Sequence, residues 1–306
     1  MVIFLNDKDI ENLLNIKDAI EKMADTFKNY NIKYFLLNRF TFTKDNWWGI
    51  APAYSDKYFY VKVVNVIQDN IKRKLPTIQG LSVLFSRIDG TPLVVFNGSN
   101  FIAYKTAIVD VMAIELIYGK KIETLGIIGA GQEAEVHLKL IQKYLKVDNI
   151  IITARKNHFR LALKYNIRPV DLTELLQKSN VILALTSSSY PVVIGKLLNQ
   201  DEILIVSIGA HTPIAREIDD DAIKKCKTYI IDSKEFASMA TGDYIQPLQK
   251  GILEEKNIME LSQILRSNNI KVEKPAIFKF SGVTIADVGF AEYLYEKAIH
   301  YFNVSI

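Results

Sequence analysis

Apolar positions set three rhythms along the chain. Ile10, Leu13, Leu14, Ile20, Met23 and Phe27 recur at helical spacing and predict one amphipathic helix over 7–30, with Asp7 or Asp9 placed to cap it. Residues 35–98 instead carry short apolar runs, Phe59–Ile67, Leu81–Phe85 and Leu93–Phe96. Asp89-Gly90-Thr91-Pro92 is a hairpin turn between the last two, so this stretch predicts an antiparallel sheet. A helical pattern returns from Ala103 to Tyr118 and stops at Gly119.

From there strands and helices alternate. Strands are predicted over 124–128, 149–153, 181–185, 203–208 and 228–231, with helices over 133–144, 172–178 and 220–225. Strands that are apolar nearly throughout, separated by helices, predict a parallel sheet covered on both faces. Residues 275–288 find no evident place in that sheet. They are expected to return to the first domain with a final helix over about 288–302.

The strongest local motif is Gly126-Ile-Ile-Gly129-Ala130-Gly131-Gln132-Glu133-Ala134, read as G-x-G-x-x-A between a strand and a helix. Gly129 permits a tight turn, Gly131 lets a pyrophosphate approach the backbone, and Ala134 lets helix and strand pack closely. Phosphates would then meet free N–H groups at the positive end of the helix. The fold class predicted is α/β: a Rossmann NAD(P)-binding domain over 116–285, and an α+β domain formed by 1–115 with 286–306. An NAD-preferring site places an acid about 20 residues beyond the turn, at the end of the second strand. Here that strand ends Ile151-Ile-Thr153-Ala154-Arg155-Lys156. Two cations in place of an acid favour a 2′-phosphate, so NADP(H) is predicted over NAD(H).

Composition narrows the class. The chain is 49% hydrophobic and 24% charged, and its net charge of +4 comes largely from scattered lysines. Nothing resembles the clustered basic face of a nucleic-acid protein. A single cysteine, Cys226, excludes an intrachain disulfide, and no zinc spacing is present. Cys226 lies among lysines but has no base near it in sequence and reads as structural. No apolar run reaches the roughly 18 residues of a membrane span, and the N-terminus lacks a secretory pattern, so a cytoplasmic protein is expected.

Four segments together resemble the ornithine cyclodeaminase/μ-crystallin family. They are Trp48–Ser55 with Tyr60-Val-Lys62-Val-Val64; Asp89–Val95 with Ala103–Ala107; Gly129-Ala-Gly-Gln132; and Ile208–Pro213 with Arg216-Glu217-Ile218-Asp219, followed by Phe280–Asp287. The resemblance makes the α+β domain, 1–115 with 286–306, the substrate-binding and dimerisation domain, and implies a homodimer formed through its sheet. It also implies a bound α-amino or α-imino acid beside a nicotinamide. The family includes ornithine cyclodeaminases, alanine dehydrogenases and reductases of ketimines and cyclic imino acids.

The resemblance also places residues. Lys62 falls on an active-site lysine. A charge within an otherwise apolar strand points the same way, because a partly desolvated lysine has a lowered pKa and exchanges a proton near neutrality; the alternative is a lysine on the solvent face of an edge strand. Arg39 falls on an arginine that binds the substrate carboxylate. A second such arginine is replaced by Lys105, which keeps the charge but loses the bidentate fork. His211 stands where ornithine cyclodeaminases carry a catalytic aspartate. That disfavours the lyase and favours imine reduction or amino-acid oxidation; a loop histidine without a chemical role is the other reading. Asp287 either orients Lys62 or the substrate, or caps the final helix. Thr186 and Ser187 follow a Rossmann strand and either meet the cofactor or only stabilise the turn. Trp47 and Trp48 read as core more readily than as a pocket wall. His137, His158 and His300 have no partner at metal-ligand spacing. The leading function is an NAD(P)-dependent oxidoreductase acting on the C–N bond of a small α-imino or α-amino acid. The alternatives are ornithine cyclodeaminase and a non-catalytic NADP(H)- and small-ligand-binding protein.

Overall fold

The computed structural model describes residues 2–30, 39–43, 46–267 and 270–302. It divides into two compact units, Met1–Ile108 with Thr284–Ile306, and Val109–Val283.

The first unit begins with β1 (Ile3–Leu5), α1 (Asp7–Leu13) and α2 (Ile16–Lys28). The single helix expected over 7–30 is thus two, because Leu14 turns extended and the Asn15 side chain accepts from the Asp18 N–H to start a new helix. The cap of α1 is Asn6, whose Oδ1 accepts from Lys8 N at 2.8 Å and Asp9 N at 3.2 Å. Asp9 acts as the reciprocal half of this capping box, accepting from Asn6 N at 3.0 Å.

The chain continues through β2 (Arg39–Thr43), β3 (Asn46–Tyr54), β4 (Tyr58–Ile67), β5 (Ile78–Ser86) and β6 (Pro92–Asn97) into α3 (Gly98–Ile117). The strands form one sheet in the order β1-β6-β5-β4-β3-β2, antiparallel except for the parallel β1–β6 pair. Alternation along β4 buries Tyr60, Lys62 and Val64 on one face and exposes Val63 on the other.

The second unit runs β7 (Lys121–Ile128), α4 (Gln132–Tyr144), β8 (Lys146–Thr153), α5 (His158–Tyr165), β9 (Arg168–Pro169), α6 (Leu172–Lys178), β10 (Val181–Ala184) and β11 (Leu204–Ser207). It continues through α7 (Asp220–Lys225), β12 (Thr228–Ile231), α8 (Lys234–Ala240), α9 (Gly242–Gln249), β13 (Ile258–Glu260), α10 (Leu261–Arg266) and β14 (Ala276–Lys279). The last helix, α11 (Thr284–Phe302), belongs to the first unit.

The second sheet is parallel throughout, in the order β13-β12-β14-β11-β10-β7-β8-β9. Every residue of β10, β11, β12 and β14 is buried, as strands covered on both faces require. Each fully buried Val, Ile or Leu there contributes about 1.5–3 kcal/mol.

Two expectations are corrected here. Residues 276–279 are a strand of the parallel sheet, between β11 and β12. The signal was obscured by Lys279, whose charge ends an apolar run although the residue is fully buried and lies 3.4 Å from Asp243 Oδ2. The final helix begins at Thr284 rather than 288, which sets Asp287 inside its first turn instead of ahead of it.

His137 finds two partners in the fold. It is buried on α4, with Nε2 2.9 Å from Asp110 Oδ2 and Nδ1 2.7 Å from the Glu133 carbonyl. Facing a carbonyl and a carboxylate, the ring nitrogens favour the doubly protonated, charged form. Burial opposes that charge most strongly, but the bond and ion pair to Asp110 outweigh it and raise the pKa. Burial likewise pushes the Cys226 thiol up to about 12, in keeping with an inert, structural cysteine.

Candidate active site

The strand–helix packing of the first unit brings three charges together in its interior. Lys62 projects from the middle of β4, opposite Ala51 on β3 and Ser82 on β5. Because β4 is a central strand, the edge-strand alternative for Lys62 does not apply. Its Nζ donates to Asp287 Oδ2 at 2.7 Å, and Asp287 is fully buried. Lys105, the eighth residue of α3 and 2% exposed, places its Nζ 3.5 Å from Asp287 Oδ1. Asp287 Oδ1 makes no hydrogen bond among the described residues.

Two lysines therefore share one buried carboxylate. Burial lowers the Lys62 pKa most, the neighbouring Lys105 adds to the lowering, and Asp287 opposes both. The net direction is down, as a proton-exchanging lysine requires. Asp287 thus pairs with Lys62 instead of capping α11. On the same face of the sheet, Tyr60 Oη donates to Ser82 Oγ at 2.8 Å.

Arg39 lies on β2, opposite Ile50 of β3, and its side chain is outside the described residues. Trp48 is 42% exposed and Trp47 half-buried on β3, so the core reading of this pair fails. Trp48 joins Ile50, Val63 and Leu81 on the outer face of the sheet, opposite to Lys62. A depression of about 420 Å³, lined in part by Trp48, Val63, Gly80 and Leu81, opens on that face.

In the second unit the glycine turn follows β7. Chain order reverses between β7 and β10, since β8 and β9 lie on one side of β7 and β10 on the other. Open α/β sheets bind dinucleotides at this switch point, beyond the carboxyl ends of the strands. Gly129 has φ +129°, and a Cβ there would stand 2.2 Å from the Leu185 carbonyl oxygen. Gly131 has nothing within 4 Å of its Cβ position and heads α4 without a side-chain cap. Ala130 and Gln132 flank it, and Ala134 is fully buried beneath. An uncapped helix N-terminus behind an open glycine fits a pyrophosphate. These residues therefore fit a dinucleotide.

Arg155 and Lys156 are exposed in the loop between β8 and α5. Thr186 and Ser187 follow β10, and Thr186 is committed locally, donating from N at 2.8 Å and Oγ1 at 2.7 Å to Glu217 Oε1. His211 is exposed on the loop after β11. His158 starts α5, and His300 is exposed on α11. Among the described residues no group of His, Cys, Asp and Glu is arranged to hold a metal, and no helix is long and apolar enough to cross a membrane.

Sequence reasoning assigned no role to Glu217 or to Asp232. Asp232, at the end of β12, accepts from Ser281 N and Oγ, Gly282 N and Val283 N at 2.5–3.1 Å and fixes the turn that leads into α11. Nothing near Asp232 in sequence announces a partner 49 residues away.

The chain is 26% identical to a Δ1-pyrroline-2-carboxylate reductase of Bacillus cereus, across 98% of this chain and 97% of the relative. It is 25% identical to the ketimine reductase mu-crystallin of Mus musculus, across 81% of this chain and 80% of the relative. Its fold superposes with a TM-score of 0.87 on Thermococcus litoralis Δ1-pyrroline-2-carboxylate reductase in complex with NADH and L-proline, at 27% identity and 98% coverage of each chain. Residues 2–301 match the ornithine cyclodeaminase/mu-crystallin family as a whole, and the chain belongs to that family.

Proposed function

We propose that this protein is an NAD(P)-dependent reductase of the C=N bond of a small cyclic α-imino acid, of the Δ1-pyrroline-2-carboxylate type. The observation that carries this reading is the buried Lys62–Asp287 pair, 2.7 Å apart, in which the lysine pKa is lowered. The relatives that act on C=N bonds, and the neighbour bound to NADH and L-proline, support the substrate class.

In this reading Lys62 delivers a proton to the substrate nitrogen, and Asp287 holds its ammonium in place. Lys105 and Arg39 hold the substrate carboxylate, and such fixing lowers the barrier by positioning. The nicotinamide supplies the hydride that goes to the substrate Cα. Gly129, Ala130, Gly131 and Gln132 hold the pyrophosphate, with Thr186 and Ser187 beside the rest of the cofactor. His211 takes the place of the cyclodeaminase aspartate. A histidine is poorly suited to holding and deprotonating the side-chain ammonium of ornithine, which favours reduction over cyclodeamination. The apolar outer face of the first sheet, with Ile50, Val63 and Leu81 aligned across three strands, supports a homodimer formed through it.

The class is tested by the ratio of ammonia released to NAD(P)H formed or consumed, with ornithine, alanine, proline and pipecolate. Proline or pipecolate oxidation with cofactor reduction and no ammonia is expected. Ammonia from ornithine without net cofactor change would make the protein a cyclodeaminase.

The preference for NADP(H) rests on Arg155 and Lys156 standing where an NAD-preferring site carries an acid. Arg155→Asp is expected to weaken NADPH binding about ten- to hundredfold more than NADH binding, the range for losing a charge-assisted bond. Equal effects in a direct binding titration of both cofactors would refute the preference.

A further inference from the structure

The run Arg216-Glu217-Ile218-Asp219 has no part in the chemistry above, yet it holds a fully buried carboxylate beneath the cofactor edge of the second sheet. Glu217 Oε1 accepts from Thr186 N and Oγ1 at 2.8 and 2.7 Å. Oε2 accepts from Ser207 Oγ at 2.8 Å and Gly209 N at 2.6 Å. Thr186 lies just beyond the end of β10, and Ser207 and Gly209 lie at and just beyond the end of β11. One side chain thus ties together the loops that leave two neighbouring strands.

The junction is tight. A Cβ on Gly209 would stand 1.8 Å from the Thr186 carbonyl oxygen and 2.4 Å from Glu217 Oε1, so position 209 admits only glycine without movement of backbone. Glu217 is itself held from behind. Its N and Ile218 N donate to Asp243 Oδ1 at 3.0 and 3.1 Å. Lys279 Nζ, at the end of β14, lies 3.4 Å from Asp243 Oδ2 and donates to Ser207 Oγ at 3.2 Å. Asp219 anchors the other side, accepting from Gly195 N at 2.9 Å and Ala222 N at 2.8 Å. Asp243, Lys279, Ser207 and Glu217 are all fully buried.

Buried ionic groups of this kind are often replaceable by apolar residues with no loss of stability. Burial raises the Glu217 pKa, Lys279 opposing it, which marks the carboxylate as costly to hold there. What the network does contribute is fixed geometry at the carboxyl ends of β10, β11 and β14. In a doubly wound sheet the half built on the first strand and its outer neighbours, here β7, β8 and β9, takes the adenosine. The half across the switch point, β10, β11 and β14, takes the other nucleotide.

We infer that Glu217 is a positioning residue for the nicotinamide half of the cofactor site, acting by locking the Thr186 and Gly209 loops to each other. This rests on the reading of the chain as a nicotinamide-dependent enzyme. Glu217→Gln keeps the shape but places an amide donor against groups that themselves donate.

The test measures binding of NADH, and of ADP-ribose, which lacks the nicotinamide, to wild type and Glu217→Gln, with a thermal melt of each protein. NADH affinity is expected to fall about ten- to hundredfold, with ADP-ribose affinity changed less than about twofold. Equal weakening of both ligands, or of neither, overturns the inference. Ser207→Ala removes one donor from the same carboxylate and decides the question if Glu217→Gln does not fold. A selective loss of NADH affinity, about threefold or more, supports the inference, and an unselective change overturns it. A wild-type protein that binds neither NADH, NADPH nor ADP-ribose overturns the cofactor reading and this inference together.

Discussion

Replacing Lys62 by Met is expected to lower kcat for imine reduction about 10²–10⁴-fold, the range for removing a general acid. NAD(P)H affinity should stay within about twofold, because the glycine turn belongs to the other unit. Methionine keeps most of the aliphatic stem, and Asp287 retains Lys105 at 3.5 Å, so the buried carboxylate is not left without a counter-charge. Steady-state kinetics with a cofactor titration checks both halves of this expectation. Wild-type turnover in the mutant would remove Lys62 from the chemistry. Equal losses of turnover and cofactor affinity would mean a damaged fold rather than a missing proton.

The second large effect is on pH dependence. With Lys62 as the proposed proton donor, reduction needs its ammonium form, so kcat/KM for the imine should fall as pH rises through the lowered lysine pKa. Oxidation of the amino acid needs the neutral amine, and its profile should rise through the same value. Asp287 is the group that keeps the proton on Lys62 against burial and Lys105. Asp287→Asn should therefore lower the lysine pKa further and move the reductive limb to lower pH by about one unit or more. Paired kcat/KM profiles of wild type and mutant measure the shift. A limb that stays in place, or moves up, would mean that it belongs to another group.

How much of this was legible in the sequence follows from the physics of each element. β10, β11 and β12 spelled themselves out because strands buried on both faces are apolar at every position. β14 did not, since its last residue is a lysine whose burial depends on Asp243. α5 is silent in the sequence because it is eight residues long and the residue ahead of it, Asn157, is left-handed and makes no side-chain cap, so the usual start signal is absent. Lys62 could be read as a charge interrupting an apolar strand. Its link to Asp287 spans 225 residues, and only the packing of α11 on the sheet makes the pair. Glu217 lies in a motif that sequence singled out, yet its partners Thr186, Ser207 and Gly209 come from two other loops. A constellation of that kind has no spacing to read.

In the proposed reaction hydride passes between the nicotinamide and the Cα of a cyclic imino acid. The direct test supplies Δ1-pyrroline-2-carboxylate with NAD(P)H carrying deuterium at both C4 positions of the nicotinamide, so that either face delivers label, and analyses the product by mass spectrometry and NMR. Proline carrying one deuterium at Cα for each cofactor oxidised is expected. Proline without the label, or no cofactor oxidation with this or any other cyclic imino acid, would contradict it.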